Sequence, residues 1–285
     1  MLAIDPMLLT VARVLPPDPD RWVLEAKWDR IRLLAAHHPR RGPVLMSRHG
    51  TSLTARLPEL AAAIAALEPG TILDGELVAL AADPAGEPVQ DFAGAVSVAT
   101  RTPTPELAAR LQLCAFDLPR LGAEDLTGAP QSIRSSRLAQ LLAEASPGPI
   151  TVTPQLPVDQ RALEAVLAGG FEGVVLKRVD ARYRAGERSP AWRKLKARHT
   201  ATVEVVAAPR PGPGQEADRA LVRDELGTWP AIVWPGPIAR ELVELGPRAR
   251  GTHAQITYSR RDAGGAPREA RISLLGQLAA RLPAD

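Results

Sequence analysis

The chain has 285 residues, 45% of them apolar, and carries 35 Lys and Arg against 32 Asp and Glu for a net charge of +3. With a mean hydropathy of −0.07 and no apolar run of membrane length, it reads as a globular protein with enough chain for one large core or two modest ones, and a membrane-spanning protein is excluded. A single cysteine permits no internal disulfide, and residues 1–6 contain Asp5 and no basic leader, so a non-exported, cytoplasmic protein is expected.

In chain order, residues 21–28, 31–37 and 43–47 read as strands, with a turn at Pro39-Arg40-Arg41-Gly42 between the last two. Pro58 opens an alanine-rich helix to Leu67 that Pro69-Gly70 stops. Residues 71–80 form a strand, 83–90 (two prolines and a glycine) a loop, and 105–111 a helical turn leading into the apolar strand around Cys114. Helical spacing of Ile133, Leu138, Leu141 and Leu142 predicts a helix over 132–145, and Asp159 caps another that ends at Gly169-Gly170. Strands recur over 173–178 and 192–197. This order predicts an α+β nucleotide-binding domain over residues 1–198. Beyond a hinge near 197–200 the character changes. Short strands at 202–207, 229–234 and 253–258, a breaker-rich turn over 209–214 and a helix over 238–245 predict a small five-stranded β-barrel of the OB type over 199–285.

The chemistry-bearing segment is Glu25-Ala26-Lys27-Trp28-Asp29-Arg30-Ile31-Arg32. Strand alternation puts Glu25, Lys27 and Asp29 on one face of an otherwise apolar stretch. Read alone, it is an edge strand with a surface stripe of charge. A lysine placed near a core, however, loses its proton readily and becomes a nucleophile near neutral pH. Further along stand Ser47-Arg48-His49-Gly50 with Leu57-Pro58-Glu59-Leu60, Leu73-Asp74-Gly75-Glu76-Leu77, Ala115-Phe116-Asp117-Leu118, Phe171-Glu172-Gly173-Val174-Val175 and Ala191-Trp192-Arg193-Lys194-Leu195-Lys196. Each is short and weak alone.

Taken in this order over residues 20–197, the six resemble the motifs of the ATP-dependent DNA ligases, in particular the compact bacterial type, within a superfamily that also holds RNA ligases and mRNA-capping enzymes. The resemblance implies an ATP-grasp-like ligase adenylation domain followed by an OB-type domain, with ATP as AMP donor, Mg²⁺ or Mn²⁺ as metal, nicked double-stranded DNA as substrate and a monomer as the working unit. It implies Lys27 as the nucleophile that takes AMP, with Lys194 and Lys196, on one side of a strand, as the cations beside it. It puts Phe116 against the adenine ring, Glu25 near the adenine amino group and Arg32 and Arg48 on phosphate or sugar. Glu76 is assigned to the ribose or the metal, Glu172 to the metal and Asp74 to structure. Lys177, of opposite parity to Glu172 on an unbulged strand, is expected to face away. Without the resemblance, Phe116 reads as core and the arginines as surface.

Two departures stand out. Arg30 occupies the place where the family nearly always has glycine; if that turn needs a positive φ, arginine there is strained by about 1 kcal/mol. The family's last motif, an arginine and aspartate often followed by lysine, has no counterpart in Arg268-Glu269-Ala270-Arg271-Ile272-Ser273-Leu274-Leu275, and Arg260-Arg261-Asp262 lies upstream; its role is carried over to neither. Arginines 248, 250, 260, 261, 268 and 271 are instead candidates for a DNA-backbone footprint. Two other readings are an RNA ligase or capping-type enzyme, and a non-ligating binder of nicks or nucleotide.

Overall fold

The computed structural model describes residues 4–82, 88–91, 95–145, 148–209, 219–261 and 264–275. Contacts divide the chain into two compact units, Met1–Leu195 and Lys196–Asp285.

The first unit is built on two sheets. A seven-stranded sheet runs, edge to edge, through Gly42–Ser47, Ile31–His38, Ile72–Ala82, Leu111–Leu121 and Glu124–Asp125, with Pro88–Asp91 added to the third of these and Ile150–Val152 to the fourth. Its apolar face packs under the helices Pro58–Ala65 and Gln131–Ala145 in a core that includes Leu33, Leu45, Ile64, Leu73, Leu77, Leu113 and Leu138. Pro58 starts the first helix where its missing N–H costs nothing. A five-stranded sheet orders Leu8–Val11, Arg188–Lys196, Gly173–Arg178, Trp22–Ala26 and Gln155–Leu156. Helix Gln160–Ala168 covers one of its faces through Val166, against Trp22, Leu24, Val174, Leu176 and Leu195. Asp159 caps this helix by accepting the Ala162 N–H at 2.7 Å.

In the second unit five strands close into a barrel in the order His199–Ala207, Arg219–Asp224, Gly227–Ile232, Arg271–Leu275, His253–Tyr258. Val203, Val205, Val222, Ala231, Ile256 and Ile272 fill it, and helix Pro237–Leu245 adds Ala239 and Leu242 to the same core.

Several sequence expectations need correction. The lysine strand stops at Ala26 because the Trp28 N–H turns back onto the Ala26 carbonyl at 3.1 Å. Residues 88–90, expected in a loop, belong to a strand, Pro88–Asp91, that pairs with Ile72–Ala82; residues 83–87 lie outside the described residues, as do 210–214 of the breaker-rich turn and Asp262. The strand expected over 192–197 begins at Arg188, passing Pro190, and the next begins at His199, so only Ala197 and Arg198 separate them. In helix Gln131–Ala145, Ile133 is 50% exposed, and the inward row is Gln131, Arg134, Leu138 and Leu142. Hydrophobic spacing missed it because one inward position is an arginine.

Candidate active site

Between the two sheets of the first unit lies a cleft of about 460 Å³. Glu25, Lys27, Val175, Lys177, Trp192 and Lys194 line it from the five-stranded sheet and the loop after its lysine strand. Arg32, Arg48, Glu76 and Phe116 line it from the seven-stranded one. A volume of this size suits a nucleotide or similar small ligand.

Residues 27–30 connect the sheets and are fastened at both ends. The Lys27 N–H continues the ladder to the Gly173 carbonyl at 2.9 Å, after which the turn at Trp28 swings the side chain into the cleft. There the Lys27 Nζ donates to Glu172 Oε2 in a short ion pair, both side chains mostly buried. At the other end the Arg30 N–H donates to Glu76 Oε1 at 2.7 Å. Trp28 steadies the loop between: its Nε1 donates to Thr153 Oγ1 at 3.0 Å and its ring meets Phe171 edge-on at 4.9 Å.

Arg30 makes this turn without a left-handed backbone; among the described residues only Glu269 has a positive φ outside glycine. The expected strain is therefore absent. Arg30→Gly is predicted to destabilise the protein by about 0.4–1 kcal/mol, by loosening the unfolded chain and relieving nothing in the folded one, as urea unfolding would register.

Opposite Lys27 stands the segment Asp74-Gly75-Glu76. Gly75 is required by packing, since a Cβ there would lie 2.9 Å from the Cys114 carbonyl oxygen and 3.1 Å from the Ala115 Cα. Glu76 is paired with Arg32 across the strands. Burial pushes its carboxyl up to about 7, against the opposing pull of the Arg30 N–H and of Lys27 and Arg32. Asp74 is fully buried: it accepts both Nε and Nη2 of Arg32, at 2.9 and 2.6 Å, and the Tyr183 hydroxyl at 2.7 Å. This bidentate clasp fixes the Arg32 guanidinium 5.4 Å from the Phe116 ring and 5.8 Å from the Trp192 ring.

The other expected residues are placed unevenly. Phe116 reaches the cleft, edge-on to Trp192 at 6.1 Å. Arg48 is an exposed residue at the cleft wall, its N–H on the Arg32 carbonyl at 3.1 Å. Lys194 lines the cleft, but Lys196, the first residue of the second unit, donates to Glu269 of that unit at 2.7 Å. Of the two, Lys194 is a lining residue of the cleft and Lys196 is not among them.

Lys177 is the clear correction. It is 1% exposed and lines the cleft, with its Nζ 2.7 Å from Glu25 Oε2 and 2.7 Å from the Phe116 carbonyl, between the rings of Phe116 and Trp192. Parity with Glu172 misleads because Glu172 precedes the strand Gly173–Arg178 and does not share its alternation. On that strand Val175 pairs with Glu25 and Lys177 with Val23, so Lys177 and Glu25 are diagonal neighbours on one face. Gln155, from a two-residue strand with no periodicity to read, pairs with Glu25 from the other side and donates its Nε2 to Glu25 Oε1 at 2.9 Å. Burial holds the Glu25 carboxyl above its ordinary range, against the opposing pull of Lys177 and Gln155.

A lysine paired with a carboxylate, a second carboxylate, a fixed arginine and an aromatic ring brought to one cleft suit phosphoryl or nucleotidyl transfer. Among the described residues no group of three His, Cys, Asp or Glu side chains could hold a metal alone. Glu76 and Glu172 stand at the two ends of the Lys27 loop, Glu76 taking the Arg30 N–H and Glu172 the Lys27 Nζ.

Residues 6–196 match the family model described as the ATP dependent DNA ligase domain. A "Probable DNA ligase" of Anaeromyxobacter dehalogenans (strain 2CP-C) is 39% identical over 189 residues, 65% of this chain and 36% of that protein. The "Multifunctional non-homologous end joining protein LigD" of Mycobacterium bovis is 37% identical over 205 residues, 70% of this chain and 24% of that protein. The aligned parts are thus well under half the length of both relatives. Among solved structures, the ligase domain of M. tuberculosis LigD superposes with a TM-score of 0.57 at 29% identity, over 96% of this chain and 95% of that one.

Proposed function

This chain belongs to the ATP-dependent DNA ligase family, and on that premise we propose that it seals nicks in duplex DNA through a lysyl-AMP intermediate on Lys27. The first unit acts as the nucleotidyltransferase domain and the barrel unit as an OB-type domain, the protein working as a monomer on DNA. The observation that carries the reading is Lys27, paired with Glu172, lining a cleft that Glu76, Arg32 and Phe116 also line.

The chemistry follows from those positions. Lys27 Nζ must shed a proton before it attacks the α-phosphate of ATP, and Glu172 Oε2 is its hydrogen-bonded acceptor. Attack forms the N–P bond and expels pyrophosphate; the AMP then passes to the 5′-phosphate of the nick, and the 3′-hydroxyl displaces it. Phe116 gives the adenine a face to stack on, Arg32 and Arg48 meet phosphate or sugar, and Lys194 adds positive charge at the wall. A divalent ion held by Glu76 and Glu172 would neutralise charge on the triphosphate. Because each step moves phosphoryl charge, positioning and neutralisation supply most of the rate.

Intact-protein mass spectrometry after incubation with ATP and Mg²⁺ tests the reading. It requires an AMP adduct that maps to Lys27, is reversed by pyrophosphate, and is discharged on nicked DNA with sealing. Absence of the adduct under every divalent metal tried would overturn the reading in favour of a binder. Glu172→Gln, which keeps the side chain's size and removes its charge, is expected to slow adduct formation by on the order of 10²-fold and raise the Mg²⁺ requirement. A Mg²⁺ titration superposable on that of the wild type would count against this role for Glu172.

A further inference from the structure

The face of the five-stranded sheet turned away from the cleft carries a second cavity, of about 320 Å³, that the steps above do not use. Strand alternation separates the two sites. Strand Gly173–Arg178 sends Lys177 to the cleft and Arg178 to the second cavity. Strand Arg188–Lys196 sends Trp192 and Lys194 to the cleft, and Ala191 and Arg193 to the cavity. Four arginines line the cavity, Arg178, Arg182, Arg184 and Arg193, against one acid, Asp180. The acid is spent on its neighbours: it accepts Nε and Nη2 of Arg178, at 3.0 and 2.7 Å, and Nη2 of Arg21 at 2.8 Å. Glu187 offsets Arg184 only weakly, at 3.5 Å with both side chains exposed. A surplus of positive charge remains. Two of the arginines are also held in place. Arg193 donates Nε to the Pro190 carbonyl at 2.8 Å and lays its guanidinium over the Trp22 ring, 4.4 Å from the centroid. Arg178, clasped by Asp180, stands over the same ring at 5.9 Å. Asp18 fixes that indole in turn by accepting its Nε1 at 3.0 Å. A guanidinium held this way loses little freedom on meeting an anion, and Arg193 keeps its terminal nitrogens for one.

From this geometry we infer that the cavity is a phosphate site for the sugar-phosphate backbone of the DNA substrate away from the nick, with Arg182 and Arg193 as its main donors. The inference rests on the DNA-sealing reading above. Phosphate matches the forked, always-charged donors of arginine. The backbone is favoured over a free anion because Arg182 and Arg184 are exposed. Salt screens an isolated phosphate at such residues, whereas a polyanion gains by releasing counterions from several arginines together. On the opposite face of the sheet from Lys177 and Lys194, the site adds hold on the duplex and takes no part in the transfer of AMP.

The test measures binding of nicked duplex DNA to the full chain by fluorescence anisotropy across a salt series, with lysyl-AMP formation and thermal unfolding alongside. It compares wild type with Arg182→Ala, Arg193→Gln and the double variant. Each single variant is expected to weaken binding by about two- to fivefold and the double variant by about tenfold. The slope of log affinity against log salt should drop by about one for each arginine removed. An unnicked duplex of the same length should lose as much, because the contact is to backbone. Adduct formation with ATP should stay at the wild-type rate, since neither residue lines the cleft. Arg182→Lys should keep most of the affinity, because it returns the charge. If Arg193→Gln loosens the sheet through Trp22, Arg182→Ala decides alone. Wild-type affinity and salt slope in Arg182→Ala and in the double variant would overturn the inference. Inorganic pyrophosphate that protects wild type against unfolding more than the double variant, with DNA binding equal in the two, would give the site to a free anion and overturn it as well. Wild type that forms no adduct overturns the nucleotidyl-transfer reading, and the binding comparison still decides this site.

Discussion

Lys27→Ala is expected to abolish the lysyl-AMP adduct, cutting its rate of formation by on the order of 10⁴-fold or more while the protein stays folded. The size of the loss follows from the surroundings of the other amines in the cleft. Lys177 is enclosed by Glu25, the Phe116 carbonyl and two aromatic rings, with 1% of its surface exposed, and cannot approach an α-phosphate without breaking a buried ion pair. Lys194 is carried on a rigid strand of the five-stranded sheet, in register with Val11, while Lys27 stands in the turn that swings it toward Glu172. Folding should survive, because the loop keeps its other fastenings: the Lys27 N–H on Gly173, the Trp28 indole on Thr153 and the Arg30 N–H on Glu76. The measurement is intact mass after ATP and Mg²⁺, alongside nick sealing and thermal unfolding. An adduct that persists at wild-type level in Lys27→Ala would remove Lys27 from the chemistry. Loss of sealing with DNA carrying a preformed 5′-adenylate would show that the lysine also serves the last step.

The place of Lys27 at the cleft is legible because its motif is written in contiguous residues, and local sequence is enough to set Glu76, Phe116 and Glu172 in the same order as the family's motifs. What escaped depends on contacts between distant segments. Gln155 lies in a two-residue strand whose meaning appears only when it pairs with Glu25, 130 positions away. Lys177 was misplaced by counting alternation from a residue outside the strand. Lys196 obeys the alternation, yet the chain passes into the second unit at that residue and Glu269 takes its charge. Arg30 shows the reverse: a rule about glycine suggested strain, and the backbone reaches the same turn with an ordinary φ. Strand edges followed the same division. Gly173–Arg178 and His253–Tyr258 were bounded by their own residues, whereas Leu8–Val11 is a strand only because Arg188–Lys196 lies alongside it in parallel.

Arg134→Ala is expected to cost about 3–5 kcal/mol of stability, the largest single loss we predict outside the cleft. Arg134 and Asp117 are both wholly buried, joined through Nε at 2.7 Å and Nη2 at 2.9 Å. The remaining donors are spent as well, with Nη1 on the carbonyls of Ala129 and Ala181 and Nη2 on the Gln131 side chain. Removing the guanidinium would leave the buried Asp117 carboxylate with only the Leu118 N–H and would take a donor from the Gln131 side chain and from two carbonyls, and a buried polar group left unmet costs about 1–3 kcal/mol. The effect should reach the cleft, since Asp117 follows Phe116 directly and Ala181 is two residues from Tyr183, which holds Asp74. Nucleotide binding should therefore weaken along with stability, although Arg134 itself is not a lining residue of the cleft. Urea unfolding of the single variants and of Arg134→Met with Asp117→Leu separates the charge from the packing. The double variant should recover most of the loss, because an apolar pair of similar volume leaves no buried charge behind. A single-variant cost below about 1 kcal/mol would mean that water or a neighbouring side chain replaces the arginine, and the pair would then not be what fixes the Phe116 strand to its helix.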